Sequence, residues 1–99
     1  MTHKEYNGWT NYESWLVKLW MDNEQGTQKY WTEQAEQHFK IHGEDNLRLL
    51  ADALKEYHEE QLPEVQGFVS DLLNSAMSEV NWQEIAESLV NDAKETVAE

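Results

Sequence analysis

The sequence predicts an all-α fold, a single compact domain of about five helices spanning residues 1–99. Three observations lead there. Apolar residues recur at three- and four-residue spacing in five successive segments, the period of an amphipathic helix. Helix start and stop residues fall between those segments. No stretch alternates apolar and polar residues as a half-buried strand would.

The first helix starts at Thr10, where Thr10-Asn11-Tyr12-Glu13 has the form of a capping box. Tyr12, Trp15, Leu16, Leu19 and Trp20 share one face, which is expected to point inward. Asp22-Asn23-Glu24-Gln25-Gly26 ends it, with Gly26 taking the left-handed conformation that follows a helix. Thr27 caps the second helix, which carries Trp31, Ala35, His38 or Phe39, and His42 to a stop at Gly43. Asp45 or Asn46 opens the third, with Leu47, Leu50, Ala51, Leu54, Tyr57 and His58 on its apolar side. Pro63, the only proline, ends or kinks it.

A fourth helix presents Val65, Phe68, Val69, Leu72, Leu73, Ala76 and Met77, with Gly67 weakening its first turn. The last helix has the clearest signals. Asn81-Trp82-Gln83-Glu84 is an Asn capping box, Val80 and Ile85 stand where a hydrophobic staple would, and Ile85, Ala86, Leu89, Val90, Ala93 and Val97 form its stripe.

Composition narrows the function classes. Five Trp, four Tyr and two Phe supply enough apolar area for a small core, unlike a disordered acidic tail. Twenty acids against seven bases give a net charge of -13. That charge opposes direct contact with nucleic acid or an anionic membrane, and it suits a cationic partner surface. The excess is lopsided: residues 1–55 hold nine acids and six bases, residues 56–99 eleven acids and the single base Lys94. With no Cys, disulfides and cysteine zinc sites are excluded. No apolar run of membrane-spanning length or secretion signal is present, so the expected location is a cytoplasm.

The acids form two candidate stripes. Asp52, Glu56, Glu59 and Glu60 lie on adjoining turns of the third helix and continue to Glu64. Glu84, Glu87, Glu95 and Glu99 fall near one face of the last helix, with Asp92 beside them. Carboxylates three or four residues apart stand about 5–6 Å apart along a helix. Such a row matches Lys and Arg side chains that hold phosphates. Acids on exposed helix faces ordinarily serve only solvation. The near absence of compensating bases after residue 55 sets this pattern apart.

Other chemistry finds little support. Asp22 to Gly26 lacks the spacing of a calcium-binding loop. His38 and His42 have helical ligand spacing, but Phe39 stands where a zinc-protease Glu belongs, and further ligands would have to come from His3 or His58. No catalytic motif, metal site or cofactor is identified, and the chain reads as non-enzymatic.

Asn7-Gly8-Trp9-Thr10-Asn11-Tyr12-Glu13-Ser14-Trp15, followed by Leu19-Trp20 and Asp22-Asn23-Glu24, resembles the opening of a group of small proteins from phages, plasmids and other mobile elements. Their usual form has Thr in place of Ser14. Asn81-Trp82-x-x-Ile85-Ala86 is similar to their C-terminal end. The resemblance implies a genomic setting and carries no site residue. Small, very acidic phage proteins include inhibitors of host defence, some resembling DNA in charge and shape.

By that analogy the leading expectation is an anti-CRISPR or anti-restriction inhibitor that binds a basic surface of a host nucleic-acid enzyme. The expected contacts are Asp52, Glu56, Glu59, Glu60, Glu64, Glu84, Glu87, Asp92, Glu95 and Trp9. The alternative is a homo-oligomeric accessory protein, such as a homodimer, with an aromatic N-terminal interface. A third is a metal protein or minor enzyme using His38, His42 and carboxylates.

Overall fold

A computed structural model describes the backbone of residues 8–97 and the side chains of residues 8–96. Five helices follow one another: α1 (Tyr12–Asn23), α2 (Gln25–His42), α3 (Leu47–Glu60), α4 (Phe68–Glu79) and α5 (Trp82–Val97). No strand occurs among the described residues.

α5 is the central helix and packs against α2, α3 and α1. Its capping signal forms as the sequence implies: Asn81 Oδ1 accepts the Glu84 amide at 3.0 Å. Trp82, Ile85, Ala86, Leu89, Val90 and Ala93 are all buried. They meet Trp31 and Ala35 of α2 and Leu50, Ala51 and Leu54 of α3 in one core cluster. Ala35, Ala51, Ala86 and Ala93 keep the facing sides thin, which lets helix axes approach closely.

α2 and α3 end and begin where the sequence places them. Gly43, at φ 65°, follows α2 and its amide bonds Phe39 O at 2.8 Å. Asn46 precedes α3 in the left-handed conformation, φ 57°. Pro63 lies in the connection between α3 and α4.

Four expectations change. The α1 cap is Asn11, whose Oδ1 accepts the Ser14 amide at 2.9 Å, and not Thr10. α1 also turns its other side inward. Ser14 and Met21 are buried with Val17 packed beside them, while Tyr12, Leu19 and Trp20 are exposed. Gly26 lies within α2 and has no positive φ. Glu24 alone separates the two helices, and it caps α2 in place of Thr27.

α4 departs further from expectation. It contacts α1 alone to any extent and has no buried residue. Leu73 and Met77 are half-buried, whereas Phe68, Val69 and Leu72 remain exposed. With one neighbour, the helix covers only part of its apolar stripe.

Candidate functional site

The start of α1 is fastened to the α4–α5 turn by a closed set of hydrogen bonds. The Thr10 amide donates to both Glu84 carboxylate oxygens, at 3.1 and 3.0 Å. Asn11 Nδ2 donates to Glu79 O at 2.7 Å. The Asn81 amide donates to Ser14 Oγ at 2.8 Å, and Asn81 Oδ1 returns to Glu84. Ser14 is fully buried, and its hydroxyl is the acceptor for the amide of half-buried Asn81. The two segments set apart by resemblance therefore meet in space. Their Asn and Ser residues build a clasp that holds the fold. Asn7 lies outside the described residues.

The clasp positions Trp9. Its ring is half-buried, packs against the core, and lines an open groove of about 640 Å³ with Gly8, Glu84, Glu87, Ser88, Asn91 and Asp92. Four of the expected contact residues, Trp9, Glu84, Glu87 and Asp92, are thus brought together. Their roles differ. Glu84 is half-buried and both its oxygens already accept the Thr10 amide, so it serves mainly as a strut. Glu87 and Asp92 are exposed on the outward side of α5, and exposed Glu95 lies one turn beyond Asn91.

Asp52, Glu56, Glu59 and Glu60 also share a single helix face. The buried side of α3 is set by Leu50, Ala51 and Leu54; at 100° per residue the four acids centre on the opposite side. Glu64 is exposed but lies in the connection after α3. Because α3 and α5 meet through their buried sides, the two acidic stripes point to different sides of the bundle. They form two separate faces and not one continuous field.

Few of these acids are paired with positive charge. Among the described residues, the three ion pairs are Lys18–Asp22 at 2.9 Å, Arg48–Asp52 at 3.7 Å and Lys94–Glu44 at 2.6 Å. Arg48 and Asp52 are largely exposed, so their pairing is weak. Lys94 is drawn from α5 towards the α2–α3 connection by Glu44, whose hydrogen bond and charge raise its pKa. The only base after residue 55 is thereby engaged by its own acid, leaving Glu56, Glu59, Glu60, Glu87 and Asp92 without an ion-pair partner among the described residues.

The described histidines are used internally. His38 is buried, with Nε2 2.9 Å from Asp45 O, and its ring lies 4.8 Å from that of His42. His42 Nδ1 pairs with Asn46 Nδ2 at 3.1 Å. Burial lowers the His58 pKa, opposed in part by its bond to Leu54 O at 2.8 Å. Among the described residues no three His or acidic side chains are grouped to hold a metal; His3 lies outside them. No helix of the described residues is long and apolar enough to cross a membrane.

Sequence reasoning missed Ser14 and the strut role of Glu84. Ser14 recurs seven residues before Met21 on the buried side of α1, a signal outweighed by the larger aromatics opposite.

No curated protein and no solved structure matches this chain. A family model described as a family of unknown function, DUF7249, matches residues 2–99, and the chain belongs to that family.

Proposed function

We propose that the protein is an anti-defence inhibitor of the anti-CRISPR or anti-restriction kind, encoded by a phage or other mobile element and acting in the bacterial cytoplasm. In this reading it occupies a Lys- and Arg-lined nucleic-acid-binding surface of a host enzyme and displaces the nucleic acid, without catalysing a reaction. The observation that supports it best is the pair of outward acidic helix faces with unpaired carboxylates, next to a lone late base already bound to Glu44. Charge-assisted hydrogen bonds from the receptor would reproduce those it makes to phosphates. On α5, Trp9 beside Glu87 and Asp92 adds an apolar anchor to a charged rim.

The mechanism is tested by competition between this protein and DNA for purified CRISPR effectors and restriction enzymes. Glu87, Asp92 and Glu95 are reversed to Lys in one variant, and Asp52, Glu56, Glu59 and Glu60 in another. Full inhibition by both folded variants would contradict the reading. Glu84 is left intact because its loss also loosens the clasp.

A second reading, a homo-oligomer with an aromatic N-terminal interface, draws support from Tyr12, Leu19 and Trp20 standing exposed on one side of α1. Light scattering of the wild type, Trp9→Ala and Trp20→Ala decides it: assembly lost with either ring supports it, and a monomeric wild type removes it.

A further inference from the structure

Where α1 gives way to α2, beside the last turn of α3, a recess of about 610 Å³ opens to solvent. Its walls are Glu24, Gly26, Thr27, Tyr30 and Tyr57. A second hollow shares Glu24, Thr27 and Tyr57 and continues to Trp20, His58 and Gln61. The Tyr30 and Tyr57 rings are nearly parallel, with centroids 6.3 Å apart and planes at 24°. Buried Trp31 stands edge-on to both, at 5.0 and 5.5 Å, and holds them from behind. Tyr30 is nonetheless 48% exposed and Trp20 67% exposed, so ring faces remain open.

The charged side chains lining this recess are of one sign. Glu24 Oε1 accepts the Thr27 hydroxyl at 2.6 Å, which orients the carboxylate and leaves Oε2 without a partner among the described residues. No Lys or Arg lines either hollow. α1 and α3 both end here with the negative ends of their dipoles, while Glu24 offsets the positive start of α2. Burial lowers the His58 pKa and so disfavours its charged form. Gly26 adds no side chain, and a Cβ built there meets nothing within 4 Å, so one wall stays low.

We propose that this recess is a guanidinium-binding site that takes an Arg side chain of a partner protein. Aromatic faces attract a planar cation, and Glu24 offers its edge a charge-assisted hydrogen bond. A guanidinium can stack and bond at once, which a compact ammonium does less well. The site lies at the far end of α1 from the Thr10–Glu84 clasp, about 18 Å for a helix of that length. It adds a further surface to the functional reading, and its chemistry does not depend on the partner being a nucleic-acid enzyme.

The test is an NMR titration of the whole protein with N-acetyl-arginine amide, its lysine counterpart and the neutral citrulline counterpart. Saturable shifts of the Tyr30 and Tyr57 ring signals are expected with the arginine amide, with dissociation constants about 5-fold weaker for lysine and no saturation with citrulline. Tyr30→Leu, which keeps an apolar side chain but no ring, and Glu24→Gln should each weaken arginine binding by about 5-fold. Glu87→Gln, on the remote α5 face, should not. Circular dichroism establishes that each variant is folded; if Tyr30→Leu is not, exposed Glu24 carries the decision. Equal binding of citrulline or lysine, or an unchanged affinity in folded Glu24→Gln, overturns the assignment. Nuclease competition is read separately, so either result can fail without the other.

Discussion

Ser14→Ala removes one oxygen from the centre of the clasp. The Ser14 hydroxyl has no solvent exposure and accepts the Asn81 amide at 2.8 Å. Alanine leaves that amide, at the entry to α5, without its acceptor. An unsatisfied buried donor costs about 1–3 kcal/mol, and this amide, on half-buried Asn81, falls towards the lower end. Domains of this size have stabilities of about 5–15 kcal/mol, so the loss is a substantial fraction. It corresponds to a fall in Tm of about 4–8 °C per kcal/mol. Urea unfolding followed by Trp fluorescence measures it, with a lower midpoint and an unchanged slope expected. Ser14→Thr is the control because it keeps the acceptor. Its added methyl must fit a closed site, and its loss should be the smaller of the two. An Ala variant with the wild-type midpoint refutes the reasoning.

Other outcomes follow from the same geometry. Glu84→Gln should lower stability by about 1 kcal/mol by weakening a hydrogen bond to charge, whereas Glu87→Gln should change it by less than about 0.5 kcal/mol; chemical denaturation distinguishes them. Leu54→Ala empties a fully buried site facing α5 and should cost about 2–5 kcal/mol, while Trp20→Ala on the exposed side of α1 should cost much less, the reverse of the order expected from residue size alone. Burial lowers the His58 pKa, so the unfolded chain takes up its proton first as pH falls. Stability should therefore decline as pH drops through about 6.5 towards the lower folded value, and His58→Gln should flatten that part of a pH-dependent melting curve.

The sequence was most readable where one helix face alone was apolar. On α5, the Asn81 cap and the spacing from Ile85 to Ala93 lead directly to the observed buried stripe, and Leu50, Ala51 and Leu54 do the same on α3. α1 defeats a reading from local periodicity because both its sides carry apolar residues. Tyr12, Leu19 and Trp20 form the larger stripe, but Ser14, Val17 and Met21 are turned inward once Asn11 and Ser14 bond the α4–α5 turn. Those are contacts across some 67 residues, which local periodicity does not encode. Gly26 shows the same limit. A glycine after an acidic run resembles a helix stop, yet Glu24 alone makes the turn and α2 continues through Gly26. For the site, the outward acids of α3 were placed from spacing alone. The pairing of Glu84 with Thr10, and the separation of the two acidic faces, depend on how the helices pack.

The proposed engagement of a cationic nucleic-acid-binding surface rests on the unpaired carboxylates of α3 and α5. Its most direct measurement is displacement of labelled DNA from a purified CRISPR effector or restriction enzyme of the host, at low and high salt. Displacement should be strong at low salt, fall steeply as salt rises, and weaken when either acidic face is neutralised in a folded protein. Absence of displacement across the host's enzymes, or displacement indifferent to both salt and neutralisation, contradicts it.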